Sequence, residues 1–243
     1  MRGRLGLGRG VGGGGGGPWS PPGTVRFHIN ETSAITDDGT GPSGDNEGRI
    51  SQINDLSAAA AHAVPVAPRP YYDNTGLNGK RILNFTALQP LLATLPAGFT
   101  GGVAFAVVKF SGANQTVFEL TPAASQVVEG GLNLFNSAAL AKVVAGRLSN
   151  HYGTAPYTAG SWAVIAARYT GNLSRVLVDG ATTADNADAV TIPACTKLHI
   201  GSLADDTSFG LVGSLAELIL CDGSISDEEI AEGVAALDAK WLS

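Results

Sequence analysis

The sequence predicts an all-β protein, a two-sheet antiparallel β-sandwich with one α-helix docked on it at the C-terminus. From Thr24 onward, ten short apolar runs alternate with segments rich in Gly, Pro, Asn and Asp, which is typical of strands joined by turns. Helical periodicity is clear only near the end of the chain. A length of 243 residues suits one such domain, because all-β domains commonly exceed ~200 residues.

The composition indicates a weakly charged, glycine-rich chain with enough apolar side chains for a full core. Charged residues make up 15% of the sequence, against ~25% in a typical domain, whereas the hydrophobic content of 44% is ordinary. No apolar run approaches the ~18 residues that a transmembrane helix needs. We therefore expect a folded domain without a membrane partner.

The charge is divided unevenly along the chain. Residues 1–23 contain three arginines and no acidic residue, so the other 220 residues hold 12 Lys and Arg against 21 Asp and Glu, a net charge of −9. Nucleic-acid binding needs clustered basic side chains. The acidic body therefore argues against a nucleic-acid partner.

The apolar runs define the predicted strands. In 162–167 neither of the two alternating sets of side chains is polar, as expected for a strand covered on both faces or backed by a second sheet. The dipeptide Asp179-Gly180 tolerates positive φ and favours a turn. The predicted strands are residues 25–29, 81–85, 102–110, 116–120, 131–135, 140–148, 161–169, 174–178, 196–200 and 211–220.

A helix is predicted over Asp227–Trp241. Ser226 is a suitable N-cap, and Glu229 three residues later completes a capping box. Acidic residues in the first turn complement the helix dipole. One face at helical spacing is apolar and consists of Ile230, Val234, Leu237 and Trp241. We expect this face to dock on the sandwich.

Residues 1–23 form a separate segment, which places the sandwich domain at 24–243. The segment holds 11 glycines, too many to fold alone because glycine loses much backbone entropy. It is either a solvated linker or an attachment device that a partner orders. In the second case Arg2, Arg4 and Arg9 pair with acidic groups and Trp19 is the apolar anchor.

Four segments, taken in order, resemble the concanavalin A-like lectin/glucanase superfamily in its laminin-G-like form, which is common in bacteriophage and bacterial proteins. They are 54–72 (NDLSAAAAHAV followed by PRPYY), 76–85 (GLNGKRILNF), 160–180 (GSWAVIAARYTGNLSRVLVDG) and 198–241 (LHIGSL, LVGSLAELILCDGSISDEEI and KW). The resemblance covers residues 25–243. It implies a jelly-roll sandwich.

The chain departs from the family pattern near residue 53. Ile53 replaces the family's Trp, and four alanines follow Ser57 in place of the Ser-Gly-Asn-Gly loop, so no ligand contact is carried over to this loop. Alanine favours a helix in Ser57–Ala63, but the segment is short and ends against prolines. Together with the resemblance, this predicts an irregular loop or a single turn.

No catalytic residue, metal site or cofactor is predicted. The family's hydrolases carry a Glu-x-Asp-x-x-Glu strand, which is absent here; Glu217 and Asp222 are five residues apart, and Glu119 is isolated. Cys195 and Cys221 lack metal-ligand spacing and are too few for a disulfide framework, so free thiols are predicted. We therefore do not expect an enzyme.

Sugar binding uses an exposed aromatic ring with polar groups beside it. The segment 150–158 is predicted to be a loop that combines these features. A second polar loop lies between two predicted strands further along the chain. The candidate carbohydrate-binding residues are Asn150, His151, Tyr152, Tyr157, Asp205 and Asp206.

The resemblance and the glycine-rich N-terminus together suggest a bacteriophage virion protein, assembled in the bacterial host cytoplasm. It would be a fibre, spike or capsid decoration component, oligomeric on the particle, held to other virion proteins through residues 1–23 and directed at host polysaccharide. The alternatives are a structural cement protein without sugar binding and a glycoside hydrolase.

Overall fold

The computed structural model describes residues 19–37, 47–86, 88–122, 132–138, 142–147, 150–170, 174–181, 184–185, 192–204 and 209–243. These residues form two antiparallel sheets and a C-terminal helix, which confirms the predicted β-sandwich. Within this part of the chain, no helix has the length and apolar character that a membrane span requires.

The elements follow the chain in this order: β1 (Thr24–Ile29), β2 (Ile35–Asp37), β3 (Glu47–Ile53), β4 (Val64–Pro65), β5 (Tyr71–Leu77), β6 (Lys80–Phe85), β7 (Leu91–Phe99), β8 (Gly102–Phe110), β9 (Gln115–Thr121), β10 (Leu132–Ser137), β11 (Lys142–Arg147), β12 (Asn150–Pro156), β13 (Trp162–Tyr169), β14 (Ser174–Val178), β15 (Ala184–Asp185), β16 (Cys195–Ile200), β17 (Gly213–Asp222) and α1 (Asp227–Trp241).

The described strands divide into two sheets. Sheet I has the order β14-β13-β8-β17-β6-β5-β3-β2, and β1 pairs with β17 beyond the end of β6. Sheet II has the order β15-β12-β11-β10-β9-β16-β7-β4. The long strand β17 therefore pairs with β8 along one edge and with β6 and then β1 along the other.

A continuous apolar core fills the space between the sheets. Alternate residues of each strand point into it, so the core draws on the inner faces of both sheets. Large side chains of this core include Phe27, Phe85, Phe99, Phe118 and Tyr169. The Tyr169 hydroxyl donates to the carbonyl oxygen of Asn133, at 2.7 Å, so this buried polar group is satisfied.

The ten predicted strands correspond to β1, β6, β8, β9, β10, β11, β13, β14, β16 and β17. Prediction missed β7 because it contains Pro96 and Gly98. The pairing of β7 with β16 shifts between Thr94 and Phe99, and this irregularity accommodates the proline, which cannot donate to a ladder.

Helix α1 has the predicted bounds and the predicted cap. The Ser226 side chain accepts from the backbone N–H of Glu229, and the Glu229 carboxylate accepts from the backbone N–H of Ser226. The buried face adds Gly233 to the four predicted residues. It lies on a second apolar cluster on the outer face of sheet I, formed by residues including Val103, Phe105, Val107, Val164 and Ile219.

Gly233 allows a close approach to the sheet. A Cβ at this position would lie 2.7 Å from the Phe105 ring and 2.9 Å from the Trp19 ring, both too short for a real contact. The two rings meet edge to face with their centroids 5.7 Å apart. The Trp19 side chain is thus packed between α1 and sheet I.

The segment Ser57–Ala63 is an irregular loop, as predicted, and the Asp55 carboxylate organises it. Asp55 is buried, and its oxygens accept from the backbone N–H groups of His28 at 2.8 Å, Ser57 at 2.9 Å and Ala61 at 2.7 Å. This satisfied carboxylate also joins the loop to β1.

Both cysteines are free, as predicted, and both are buried in the fold. Burial, followed by the charge of Asp222, raises the pKa of Cys221 to about 12. A thiol at this position is therefore protonated and unreactive at neutral pH.

We predict that Trp241→Ala lowers the free energy of unfolding by about 3–5 kcal/mol. Trp241 is fully buried on the face of α1 that packs on sheet I, and removing its side chain leaves a cavity. Urea unfolding monitored by circular dichroism measures the change. Glu232→Ala, on the exposed face of the same helix, is the control, with an expected change within about 0.5 kcal/mol. Equal stability of Trp241→Ala and the wild type would show that α1 is not docked.

Candidate functional site

Six residues from six neighbouring strands of sheet I stand directly opposite one another and form a line across the sheet. We call this line the polar row. In strand order it consists of Arg49, Tyr71, Asn84, Ser214, Lys109 and Trp162. Paired residues of antiparallel strands share a face, so all six lie on one side of the sheet.

The polar row lies on the outer face, beyond the area that α1 covers. Val107, Val164 and Ile82 belong to the apolar cluster on the outer face, and each is two residues from a member of the row. Alternation along the strands therefore turns Lys109 and Trp162 outward. One part of this face is thus apolar and covered by the helix, while the adjoining part is polar and open.

Local contacts organise the row in pairs. The Arg49 guanidinium lies 5.0 Å from the centroid of the Tyr71 ring, and the Lys109 ammonium lies 5.4 Å from that of the Trp162 ring, both within cation–π range. Between them, the Ser214 hydroxyl donates to Asn84 Oδ1 at 2.7 Å. The row therefore has an aromatic ring with a cation at each end and an amide in the middle.

Two grooves adjoin the row. The first has a volume of about 430 Å³ and is lined by Tyr71, Asn84, Phe85, Thr86, Lys109, Gly213 and Ser214. The second has a volume of about 340 Å³, and its lining includes Tyr157, Ser161, Trp162 and Asp179. The Lys109–Trp162 pair separates the two grooves.

Among the candidate carbohydrate-binding residues, Tyr157 is the one whose side chain the structure describes, and it lies at this surface. Its ring meets Phe110 edge to face, with the centroids 5.6 Å apart, and it lines the second groove. The row was not predicted from the sequence, because its six members are scattered along the chain and only the strand register brings them together.

The prediction that residues 150–158 form a loop is wrong for most of the segment. Asn150, His151 and Tyr152 begin β12, which pairs with β11 through Thr154 and Ala155 although it contains a glycine and ends in a proline. Asn150 and Tyr157 lie at opposite ends of this strand, ~20 Å apart along its length. The backbone of this segment is therefore extended, and its predicted role in sugar binding stays a prediction.

The remaining candidate positions lie wholly or partly outside the described residues. The side chains of Asn150, His151 and Tyr152 are outside the described residues. Also outside are Asp205 and Asp206, together with the attachment residues Arg2, Arg4 and Arg9. Trp19 is described, and its indole is partly buried against Phe105 and α1. Its predicted role in attachment stays a prediction.

A third cleft, of about 640 Å³, lies between the N-terminal segment and α1. Its polar floor is a group of residues that we call the Glu217 cluster: Glu217, His28, Lys240 and Trp241. Glu217 Oε1 lies 2.7 Å from His28 Nε2, while Glu217 Oε2 accepts from Lys240 Nζ at 2.8 Å and from Trp241 Nε1 at 2.6 Å. An ionised carboxylate only accepts, which assigns the proton to His28 Nε2.

The Glu217 cluster is structural. Burial on its own would raise the pKa of Glu217, but the hydrogen bonds from His28, Lys240 and Trp241 together with the Lys240 charge outweigh it, so the pKa lies below the usual 4.5. A general acid of a glycosidase needs a raised pKa. The carboxylate instead ties β17 to β1 and to the last turn of α1.

Other carboxylates offer no metal centre. Within the described residues, no group of three or more His, Cys, Asp and Glu side chains is arranged to hold a metal ion. Glu119 is fully buried in sheet II and accepts from the backbone N–H of Ala204. Asp222 pairs with Arg26 across β1 and β17.

Comparison with known proteins finds similar folds among solved structures. No family model and no curated protein matches the chain. Among solved structures, Trypanosoma rangeli sialidase in complex with sialic acid aligns with a TM-score of 0.61 and 12% identity, over 89% of this chain and 33% of the sialidase. An arabinofuranosidase complexed with arabinofuranosyl-α-1,2-xylobiose aligns with a TM-score of 0.62 and 14% identity, over 91% of this chain and 60% of that enzyme.

The class that these matches and the sheet topology define is a two-sheet antiparallel β-sandwich, in agreement with the predicted fold class. The chain spans about a third of the sialidase and 60% of the arabinofuranosidase. At such identities the likeness concerns the fold alone.

We predict that the free energy of unfolding falls as the pH drops below about 4.5, through the lowered pKa of Glu217. A depressed carboxyl pKa stabilises the fold above the unfolded-state value, and this contribution is lost on protonation. Glu217→Gln should be less stable at neutral pH by about 2–3 kcal/mol and should lose part of the acid dependence. Urea titrations across the acid range measure both.

Glu232→Gln is the control for this experiment, because Glu232 is an exposed carboxylate of α1 outside its first turn. Its acid dependence should follow that of the wild type. An acid profile of Glu217→Gln that coincides with the wild-type profile would refute a stabilising ionised Glu217.

Proposed function

We propose that this protein is a glycan-binding module and that the polar row with its two grooves is the binding surface. The observation that carries the proposal is the row itself, in which two aromatic rings flank hydrogen-bonding side chains on the open part of a sheet. Rings supply stacking surface, and amide and hydroxyl groups match sugar hydroxyls. The fold shared with sialidase and arabinofuranosidase domains supports the same class of ligand.

The dimensions of the row suit an extended oligosaccharide. Tyr71 and Trp162 are separated by four strand spacings, or ~19 Å at ~4.8 Å per spacing. A pyranose ring is comparable in length to one spacing, so a chain of about four rings reaches from one aromatic residue to the other. We propose that the chain lies across the strands, over Asn84, Ser214 and Lys109.

Binding, rather than hydrolysis, is the activity we propose. A retaining glycosidase needs two carboxyl groups ~5–5.5 Å apart beside the scissile bond, and an inverting one needs them ~6.5–9.5 Å apart. Within the described lining of the two grooves, Asp179 is the one carboxylate. Its Oδ1 accepts from the backbone N–H of Val164, which gives it a structural task.

Trp162→Ala should weaken glycan binding about tenfold, which corresponds to the loss of ~1.4 kcal/mol of stacking. The full-length protein is first applied to a glycan array, and the affinity for the best glycan is then measured by calorimetry. Leu56→Ala, which removes an exposed apolar side chain away from the row, is the control.

The array and a reducing-sugar assay on the same glycans separate three functions. Binding without release of reducing ends supports a binding module. Turnover would make the protein a glycosidase. A failure to bind any glycan would sink the proposal and favour a structural cement protein.

We further propose that the module is a virion component attached through residues 1–23. The glycine-rich composition, the three arginines and the resemblance to phage and bacterial laminin-G-like domains support this role. Glycine can thread a groove where a Cβ would clash, and a partner could satisfy its backbone by strand addition. Other virion proteins are the proposed partners, and the module is proposed to be oligomeric on the particle.

Deleting residues 2–18 should leave the melting temperature nearly unchanged and abolish incorporation into particles. The deletion stops before Trp19 because that indole packs on Phe105 within the chain. Quantitative mass spectrometry of purified particles measures occupancy. Replacing Arg2, Arg4 and Arg9 with Gln in the full chain isolates the charge contribution. Wild-type occupancy of the truncated protein would place the attachment surface on the sandwich.

A further inference from the structure

We infer that the first groove, between Tyr71 and Lys109, binds the anionic group of an acidic glycan, a carboxylate or a sulfate. This inference rests on the proposed function and adds the chemical class of the ligand. Its central feature is Lys109, the one charged side chain in the described lining of this groove.

Lys109 carries a charge that the described part of the chain does not neutralise. Its ammonium group contacts the Trp162 ring at 5.4 Å and makes neither an ion pair nor a hydrogen bond there. A cation–π contact positions the ammonium but leaves its three N–H donors unused. Lys240, by comparison, pairs with Glu217 at 2.8 Å and with Glu31 at 2.9 Å.

The other polar groups of the groove are also donors. Asn84 Oδ1 accepts from Ser214, and its Nδ2 makes no hydrogen bond within the described residues. The Tyr71 hydroxyl likewise makes none there and can donate. Ammonium, amide and phenol groups around one groove suit a ligand rich in acceptors. Charge-assisted hydrogen bonds to a carboxylate or sulfate are the strongest that such a set can make.

The charges beside the two grooves determine which groove receives the anionic ring of the ligand. Asp179 lines the second groove, on the other side of Trp162, and would repel an anion there. We therefore assign the acidic ring to the first groove and a neutral, hydroxyl-rich ring to the second. The protein as a whole has a net charge of −6, so the attraction is local to the groove and acts over short distances.

Matched glycan pairs test this assignment on the full-length protein. The pairs are polygalacturonate and its methyl ester, sialyllactose and lactose, and dextran sulfate and dextran, measured by calorimetry together with the neutral glycans of the array. We expect at least one anionic member to bind, its neutral counterpart to bind at least tenfold more weakly, and added salt to weaken the anionic complex.

Two variants locate the charge. Lys109→Gln should weaken the anionic complex about tenfold, and Asn84→Asp, which places a carboxylate in the groove at nearly constant shape, should abolish it. Lys197→Gln is the matched control, since Lys197 is a strand lysine on sheet II whose ammonium donates to Thr94 Oγ1 at 2.8 Å. Melting temperatures establish that each variant is folded.

The outcomes separate this inference from the proposed function. Equal binding of both members of each pair, or binding of neutral glycans alone, would overturn the inference and leave glycan binding in place. Equal weakening by Lys109→Gln and Lys197→Gln would also overturn it, because the attraction would then be unspecific. Binding to no glycan of either kind would overturn the proposed function itself.

Discussion

The ionised carboxylate of Glu217 holds three parts of the chain together. It is buried in the longest strand of sheet I and accepts from His28 in β1 and from two residues of the last turn of α1. A buried carboxylate is costly without such donors. The positions of β1, β17 and the helix are therefore coupled, because displacing any one of them leaves this charge unsatisfied.

The position of α1 determines where a binding surface can exist. The helix covers the apolar part of the outer face of sheet I, including Phe105 and Ile219. Because Gly233 has no side chain, the helix can lie close to both the Phe105 ring and the Trp19 ring. What the helix leaves open is the part of the face that carries Lys109 and Trp162. Without the helix, this apolar part of the outer face would be exposed to water.

Local signals were sufficient for the helix and for ten strands. The capping box at Ser226 and the spacing of the apolar face fix α1 from its own residues. Strands such as β7 and β12 escaped prediction because each contains residues that disfavour pairing, and the sheet tolerates these only through partners far away in sequence. Pro96, for example, sits where the register is irregular.

The candidate site was predicted only at Tyr157, and the reason is physical. Arg49 and Trp162 are more than a hundred residues apart in the sequence, and they align because five consecutive strand pairings happen to be in register. No pattern within one segment reports such an alignment, since register depends on which strands are neighbours. The resemblance supplied the fold but no site, since the loop after Ser57 departs from the family pattern.

The pairing of β1 with β17 also has a consequence for the order of events during synthesis. Thr24 lies opposite Asp222, so β1 lacks the strand it pairs with in the described structure until β17 has left the ribosome. Strand β8 likewise exposes one edge until β17 arrives. Contacts of such long sequence separation slow folding, and an unpaired edge attracts other strands. We therefore expect the sandwich to close late, once β17 is available to pair with both β1 and β8.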